Sequence, residues 1–385
     1  METISPLTLL QVGHLAFGAG CRKDLPAYLQ RHQTRSVLLI TNSFIRSLAD
    51  PVKEALEAAG MSVTVIEDAP PEPDVATFER LRQRAQESHA DTVVGLGGGS
   101  VLDIAKLIAA MADNPQPVKE AFGIGNLKGR NKRLVCLPTT SGTGSEVSPN
   151  AILLDESEHL KKGVVSPWLV PDAAFVDPEL TLSLPPALTA TTGIDALVHC
   201  IEAYANLHAH PMVDIYALEG VRLIGANIRR AFEQGDDLAA RTAVSLGSLY
   251  GGMCLGPVNT AAVHALAYPL GGEFHIAHGL SNAFLLPHVL RFNLPAAPKR
   301  YADIARALGV EDQGSDAATA EAGIVALEEL CAACQIPRRL SEIGVPADAI
   351  PRMAESAMTV TRLLRNNPRP LTVEDAAMIY QKAME

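Results

Sequence analysis

The residues with the most chemical potential in this chain are a carboxylate and a set of imidazoles in its second half. Asp195 and His199 stand four apart in GIDALVH. On a helix that spacing projects both side chains from one face, where they can share an ion. His264 in VHALAY, and His275 and His278 in HIAHG, supply further imidazoles. One carboxylate with several imidazoles suits iron(II) or zinc better than magnesium or calcium. Taken alone, the Asp195/His199 pair is more often two ordinary helix residues, because such pairs arise by chance. His208, His210 and His288 have no partner at a ligating interval and read as structural or surface groups. Tyr204 and the single Trp168 read as packing residues.

A second kind of chemistry sits earlier. DTVVGLGGGSVLDIAK, Asp91 to Lys106, reads as a strand, a loop of Gly97, Gly98, Gly99 and Ser100, and a helix. Glycines allow a tight turn and close approach, and the helix start presents free amides to an anion. The bland alternative is a turn in which Ser100 caps the helix and Asp103 completes a capping box. The loop lacks the G-x-G-x-x-G spacing of a standard dinucleotide fingerprint. A second loop, Pro138-Thr139-Thr140-Ser141-Gly142-Thr143-Gly144-Ser145-Glu146, offers hydroxyls and glycine-flanked amides that can also bind anionic oxygens. Two such loops after neighbouring strands suggest a dinucleotide across the sheet edge.

The elements that must position these groups fall into two halves. Short β-branched runs at 36–41, 63–66, 91–96, 134–137 and 151–154 alternate with helical stretches at 45–59, 75–88 and 101–111. That alternation predicts a parallel sheet with helices on both faces. From about Pro185 the periodicity becomes helical throughout, at 187–204, 213–232, 238–253, 261–266, 300–308, 317–334 and 373–384. The reading is therefore an α/β dinucleotide-binding domain over 1–184 and an all-helical metal-binding domain over 185–385.

Composition narrows the partners. Lysine and arginine number 32 against 43 acids, a net charge of −11, which disfavours nucleic acid or an anionic membrane as a partner. Met1 to Gly20 shows no basic region ahead of an apolar stretch, so no secretory signal is expected. Six scattered cysteines lack the density of a disulfide scaffold, and a reducing cytoplasm fits them. Cys331-Ala-Ala-Cys334, isolated in a helical stretch, reads as structural rather than redox or zinc chemistry.

GGGSVLDIAK, PTTSGTGSE, GIDALVHCIEAY and HALAYPLGGEFHIAHG occur in this order, and together they resemble the iron-containing (group III) alcohol dehydrogenase family over nearly the whole chain. The resemblance implies an NAD(P)-dependent dehydrogenase that interconverts a small alcohol and its carbonyl, with iron(II) or zinc as Lewis acid. It implies a site in the cleft between the two domains, with Asp195, His199, His264 and His278 on the metal. Gly97, Gly98, Gly99 and Ser100 would hold the pyrophosphate. Thr139, Thr140, Thr143 and Lys161 would line the rest of the cofactor, with Leu180 near it and Lys162 the alternative to Lys161. Asp103 would lie near the site, and a homodimer or larger assembly is expected. Two positions depart from the pattern. Relatives often carry histidine in the proton path where Tyr268 stands, so the relay falls to Tyr268, His275 or water. NAD-specific relatives often carry an acid where Asn42 stands, and a neutral residue there admits NADP as well as NAD. The resemblance also leaves a 4-hydroxy-acid dehydrogenase or hydroxyacid–oxoacid transhydrogenase as runner-up. Behind these stand a maleylacetate-type reductase, which an arginine at the site would favour, and a dehydroquinate-synthase-like lyase.

Overall fold

A computed structural model describes residues 4–157 and 160–385. The chain divides into two compact units. One comprises 10–140 and 144–183; the other comprises 1–9, 141–143 and 184–385.

The first unit is built on six parallel strands. In chain order its strands are β1 (His14–Phe17), β2 (Ser36–Ile40), β3 (Ser62–Ile66), β4 (Thr92–Gly97), β5 (Gly123–Ile124), β6 (Arg133–Pro138), β7 (Asn150–Asp155), β8 (Leu160–Val165) and β9 (Ala173–Val176). The main sheet runs β1-β9-β6-β4-β2-β3, every neighbour parallel. The β-branched and leucine-rich runs form it because successive side chains leave opposite faces. Leu38 and Ile40 enter one apolar cluster while Val37 and Leu39 enter another. Helices Arg46–Ala58, Val75–Glu87 and Gly99–Met111 link the strands, and both faces are apolar as a covered parallel sheet requires.

Three features depart from the sequence reading. The run at 151–154 does not extend the main sheet. As β7 it pairs antiparallel with β8, and β5 joins them in a separate three-stranded sheet. Its alternation of buried and half-buried residues is that of a strand covered on one side. Strands β1 and β9 are four residues each, too short to produce a periodic signal. Trp168, read as a packing residue, stands 47% exposed in a short 3-10 turn.

The second unit is helical apart from its loops. Helix Pro186–Tyr204 packs against Pro211–Glu233, Leu238–Leu255 and His278–Asn293, and Ala262–Phe274 packs against His278–Asn293. All twelve residues from Gly193 to Tyr204 are buried, and eight of them are apolar or small groups other than Asp195, His199, Glu202 and Tyr204, so this helix is the centre of the bundle rather than a surface element. His210 caps the Pro211–Glu233 helix by accepting from the Met212 amide at 3.1 Å, in keeping with a structural role. Among the described residues no helix is long and apolar enough to cross a membrane.

Candidate metal centre and dinucleotide loops

The centre of the helical unit is wet chemistry in a dry place. Asp195 and His199 lie one turn apart on helix Pro186–Tyr204, both buried. His264 is in the first turn of Ala262–Phe274, and His278 opens His278–Asn293. The Nε2 atoms of His264, His199 and His278 lie 3.6, 3.9 and 3.9 Å from one oxygen of Asp195. Ligand atoms of Asp195, His199 and His264 all fall within 4.8 Å of one another. The His199 and His264 rings stack at 4.8 Å, and those of His264 and His278 meet at 5.3 Å.

Close packing enforces this convergence. A Cβ on Gly279 would stand 2.4 Å from the Thr191 carbonyl oxygen and 3.3 Å from the Asp195 Cβ. Only glycine lets the helix that carries His278 come this near the helix that carries Asp195.

The protonation states suit a cation. Burial raises the Asp195 carboxyl, but the three imidazoles and the amide of Asn282 outweigh it and hold it below its ordinary value. Burial drives the His199 imidazole down to about 4, against the pull of Asp195. An ionised carboxylate beside the neutral His199 is what a metal needs. His264 Nε2 is buried and has no hydrogen-bond partner, an arrangement that costs free energy unless something else takes the lone pair. The donor set therefore fits a divalent transition metal.

Two residues outside the sequence reading orient this set. Glu202 accepts from the Val263 amide and from His264 Nδ1, both at 2.6 Å. A carboxylate only accepts, so Nδ1 carries the proton and Nε2 is left free. Asn282 donates to Asp195 Oδ1 at 2.6 Å and lies 3.2 Å from His278 Nε2. The signal for both was spacing: Glu202 follows His199 by one turn, and Asn282 follows His278 by one turn.

Of the proton-relay residues, Tyr268 is beside the cluster, its ring 6.5 Å from that of His278. Burial raises its phenol, while the charge and hydrogen bonding of Arg362 oppose the rise. His275 goes elsewhere. It is exposed, with φ of 54°, and its amide closes helix Ala262–Phe274 by bonding the Leu270 carbonyl.

In the first unit, β4 ends at Gly97 beside Pro138 of β6, so the two glycine-bearing loops leave the sheet side by side. The Thr139 amide bonds the Gly97 carbonyl at 3.0 Å, and a Cβ on Gly98 would touch Thr140 at 3.3 Å. The capping-box alternative for Ser100 and Asp103 is overturned: the helix begins at Gly99 with Gly98 as its cap and no side-chain bond there. Ser100 Oγ accepts instead from the Glu72 amide at 3.2 Å. Glu72 pairs with Lys161 at 2.6 Å, which ties Lys161 to the glycine loop. Lys162 turns away to Asp155 at 3.1 Å. Asp103 accepts from Ser145 Oγ at 2.5 Å and from the Ile152 amide at 3.0 Å, so it braces the second loop.

Lys106, unremarked in the sequence reading, is fully buried. Its ammonium donates to the carbonyls of Ser145 and Ser148 at 2.8 Å and to that of Asn150. Beside it Asp103 is half-buried and Glu146 buried, and burial pushes the Glu146 carboxyl up to about 7. Leu180 is core, 2% exposed. Thr143 belongs to the segment 141–143 that clusters with the helical unit, where the Ser141 and Ser245 hydroxyls meet at 2.8 Å. Asn42 follows β2 and bridges Asp68. Its Oδ1 and the Thr41 hydroxyl are buried without partners, and the Asp68 carboxylate is held by Arg80 and Arg84 at 2.6 and 2.5 Å. The Cys331 and Cys334 thiols are buried and pushed up to about 12 and 11, the inert state of a structural cysteine.

A parallel sheet with two anion-cradling loops, and a helical bundle centred on a carboxylate and three imidazoles, define a metal-dependent dinucleotide oxidoreductase class. The comparisons with known proteins agree. The family described as iron-containing alcohol dehydrogenase matches residues 13–178, and the one described as Fe-containing alcohol dehydrogenase family, C-terminal, matches 189–384. The chain is 38% identical over 389 residues to long-chain-alcohol dehydrogenase 1 of Geobacillus thermodenitrificans (strain NG80-2), covering 99% of this chain and 97% of the relative. Its fold superposes on the crystal structure of a 1,3-propanediol oxidoreductase with a TM-score of 0.96 at 33% identity, over 99% of this chain and 100% of that one. A sulfoacetaldehyde reductase from Bifidobacterium kashiwanohense, solved in complex with NAD+, matches with a TM-score of 0.89 at 26% identity over 98% and 99% of the two chains. The chain belongs to the iron-containing alcohol dehydrogenase family and is an oxidoreductase.

Proposed function

We propose that the chain interconverts a small alcohol and its aldehyde with NAD or NADP, using iron(II) or zinc held by Asp195, His199, His264 and His278. The observation that carries this is the convergence of three imidazole Nε2 atoms on one Asp195 oxygen, with the buried Nε2 of His264 lacking any partner. When bound, the metal supplies a Lewis acid for the substrate oxygen and the nicotinamide carries the hydride.

The chain's own residues bind, orient and protonate. Gly97, Gly98, Gly99 and Ser100 present the free amides of a helix start to the pyrophosphate, and Thr139, Thr140, Thr143 and Lys161 hold the rest of the dinucleotide. Asp103 and Lys106 keep the second loop in register. Residues 1–184 thus serve the cofactor and 185–385 the metal. The neutral Asn42, with no acid of its own to repel a 2′-phosphate, supports use of either nucleotide. Tyr268, whose phenol burial keeps protonated, holds the proton nearest the cluster. The unpaired thiols support a reducing cytoplasm. The exposed Leu207, Met212 and Ile215, clustered around the start of one helix, support a homodimer or larger assembly.

The test is His264→Ala. Metal content measured by plasma mass spectrometry and turnover of short aldehydes are both expected to vanish, while NAD(P) titration by fluorescence stays near wild type. A metal-free variant with full activity refutes the reading.

A further inference from the structure

The metal cluster has a cation beside it that no carboxylate neutralises. Arg362 lies in the short helix Thr361–Leu364, which packs on the helix that carries His264 and Tyr268. It is half-buried. Among the described residues no acid stands within ion-pair distance of it; the exposed Arg338, Arg339 and Arg365 share that lack, but the other arginines of this unit that are not exposed each have oxygen partners. Arg291 is paired with Glu321 and Glu328, Arg300 with Asp214, and Arg306 with Asp303, Asp312 and Asp316. Arg241 has three oxygen partners, and Arg369 bonds the Phe292 carbonyl and stacks on that ring at 3.9 Å. Arg362 has only the Tyr268 phenol.

In a protein with 43 acids against 32 basic residues, a partly desolvated guanidinium left to a neutral phenol is a cost. An anionic ligand removes that cost. Tyr268 touches both features: its ring lies 6.5 Å from that of His278, and its phenol is hydrogen-bonded by Arg362. A guanidinium also suits the planar or trigonal oxygens of a carboxylate or sulfonate, which it can grip with two parallel bonds.

We propose that Arg362 anchors the far end of the substrate, and that the substrate is a short aldehyde whose other terminus is a carboxylate or sulfonate. Arg362 holds the anion while the carbonyl lies at the imidazoles of His264 and His278. This rests on the alcohol dehydrogenase reading above and specifies its substrate class. The reaction is unchanged in balance: the carbonyl carbon takes a hydride, its oxygen takes a proton, and the reduced nicotinamide is oxidised.

The experiment compares kcat/KM for 4-oxobutanoate with that for butanal, and for 3-sulfopropanal with that for propanal, in metal-loaded wild type, Arg362→Met and Arg362→Lys. Wild type is expected to favour at least one anionic member about ten- to a hundredfold, the range of a charged hydrogen bond. The pair that shows the preference identifies the carboxylate or the sulfonate as the anion. Arg362→Met is expected to erase the ratio mainly through KM, and Arg362→Lys to keep part of it. A wild-type ratio near one, or the same ratio in Arg362→Met, overturns the proposal. If wild type reduces neither aldehyde of a pair, the dehydrogenase reading has failed rather than the anchor. Calorimetry with 4-hydroxybutanoate and 3-hydroxypropanesulfonate then decides: binding of either to wild type that Arg362→Met loses upholds the anchor, and binding of neither, or equal binding to both proteins, overturns it. Should Arg362→Met fail to fold, Arg362→Lys against wild type carries the same comparison.

Discussion

Replacing Glu202 tests whether the metal centre is held by its outer partners as well as its ligands. The carboxylate is buried and accepts two bonds of 2.6 Å, from the Val263 amide and from His264 Nδ1. Those bonds fix the tautomer of His264 and aim its Nε2 at the Asp195 oxygen 3.6 Å away. Glu202→Gln keeps the shape but offers one acceptor oxygen where there were two, so either the amide or the imidazole loses its acceptor. A charge-assisted bond of this kind is worth about 1.5–3 kcal/mol, and loss of such a partner typically weakens metal binding by about 10–100-fold. Competition of metal-free protein against a chromophoric chelator for zinc reads this directly, without reference to turnover. The expected result is a Kd raised about tenfold or more for Glu202→Gln and further for Glu202→Ala, with the metal-free melting temperature of Glu202→Gln lowered by a few degrees. A variant that binds zinc within twofold of wild type refutes the argument that Glu202 orients His264.

Two further outcomes follow from burial. The Glu146 carboxyl is raised from 4.5 to about 7 by burial, against the pull of Lys106; an acid that holds its proton more tightly when folded loses stability as pH rises from its unfolded value through its folded one. Glu146→Gln should therefore match wild type near pH 4.5 in urea denaturation and exceed it by roughly 2–3 kcal/mol at pH 8, and an equal difference at both pH values would remove the ionisation argument. Gly279→Ala should push His278 away from Asp195, since the new Cβ meets the Thr191 oxygen at 2.4 Å; the expected cost is about 1–3 kcal/mol of stability and at least tenfold in zinc affinity, and a variant with wild-type affinity would show that the close approach is not needed.

Much of this was legible because regular elements put regular signals into the chain. The apolar runs at 36–40, 62–66 and 92–97 and the helices between them are periodic, and they appear within a residue or two of where periodicity puts them. The Asp195/His199 pair is one helical turn, readable from spacing alone. Strands β1 and β9, at four residues, carry no such period and were missed. The hairpin of β7 and β8 was mistaken for more of the main sheet, because a single strand does not declare its partner.

The remainder of the site was illegible for a different reason. Lys106 looks like an ordinary helix lysine until the loop after β6 and the start of β7 bring three carbonyls to its ammonium. Ser100 has the residue type and position of a helix cap, yet the helix starts two residues sooner than such a cap requires and its hydroxyl serves Glu72 instead. Tyr268 and Arg362 belong to different helices, and although Tyr268 stands one turn after His264, nothing local joins either of these to Arg362. In each case the deciding quantity is a long-range contact made by a residue whose local sequence is already explained by its helix. Local pattern locates the groups that must be in regular elements to act, such as metal ligands one turn apart. It is silent on groups that act through what the tertiary structure leaves them without, and a half-buried arginine short of a counter-ion is visible only when the partners of the other arginines buried around it can be seen.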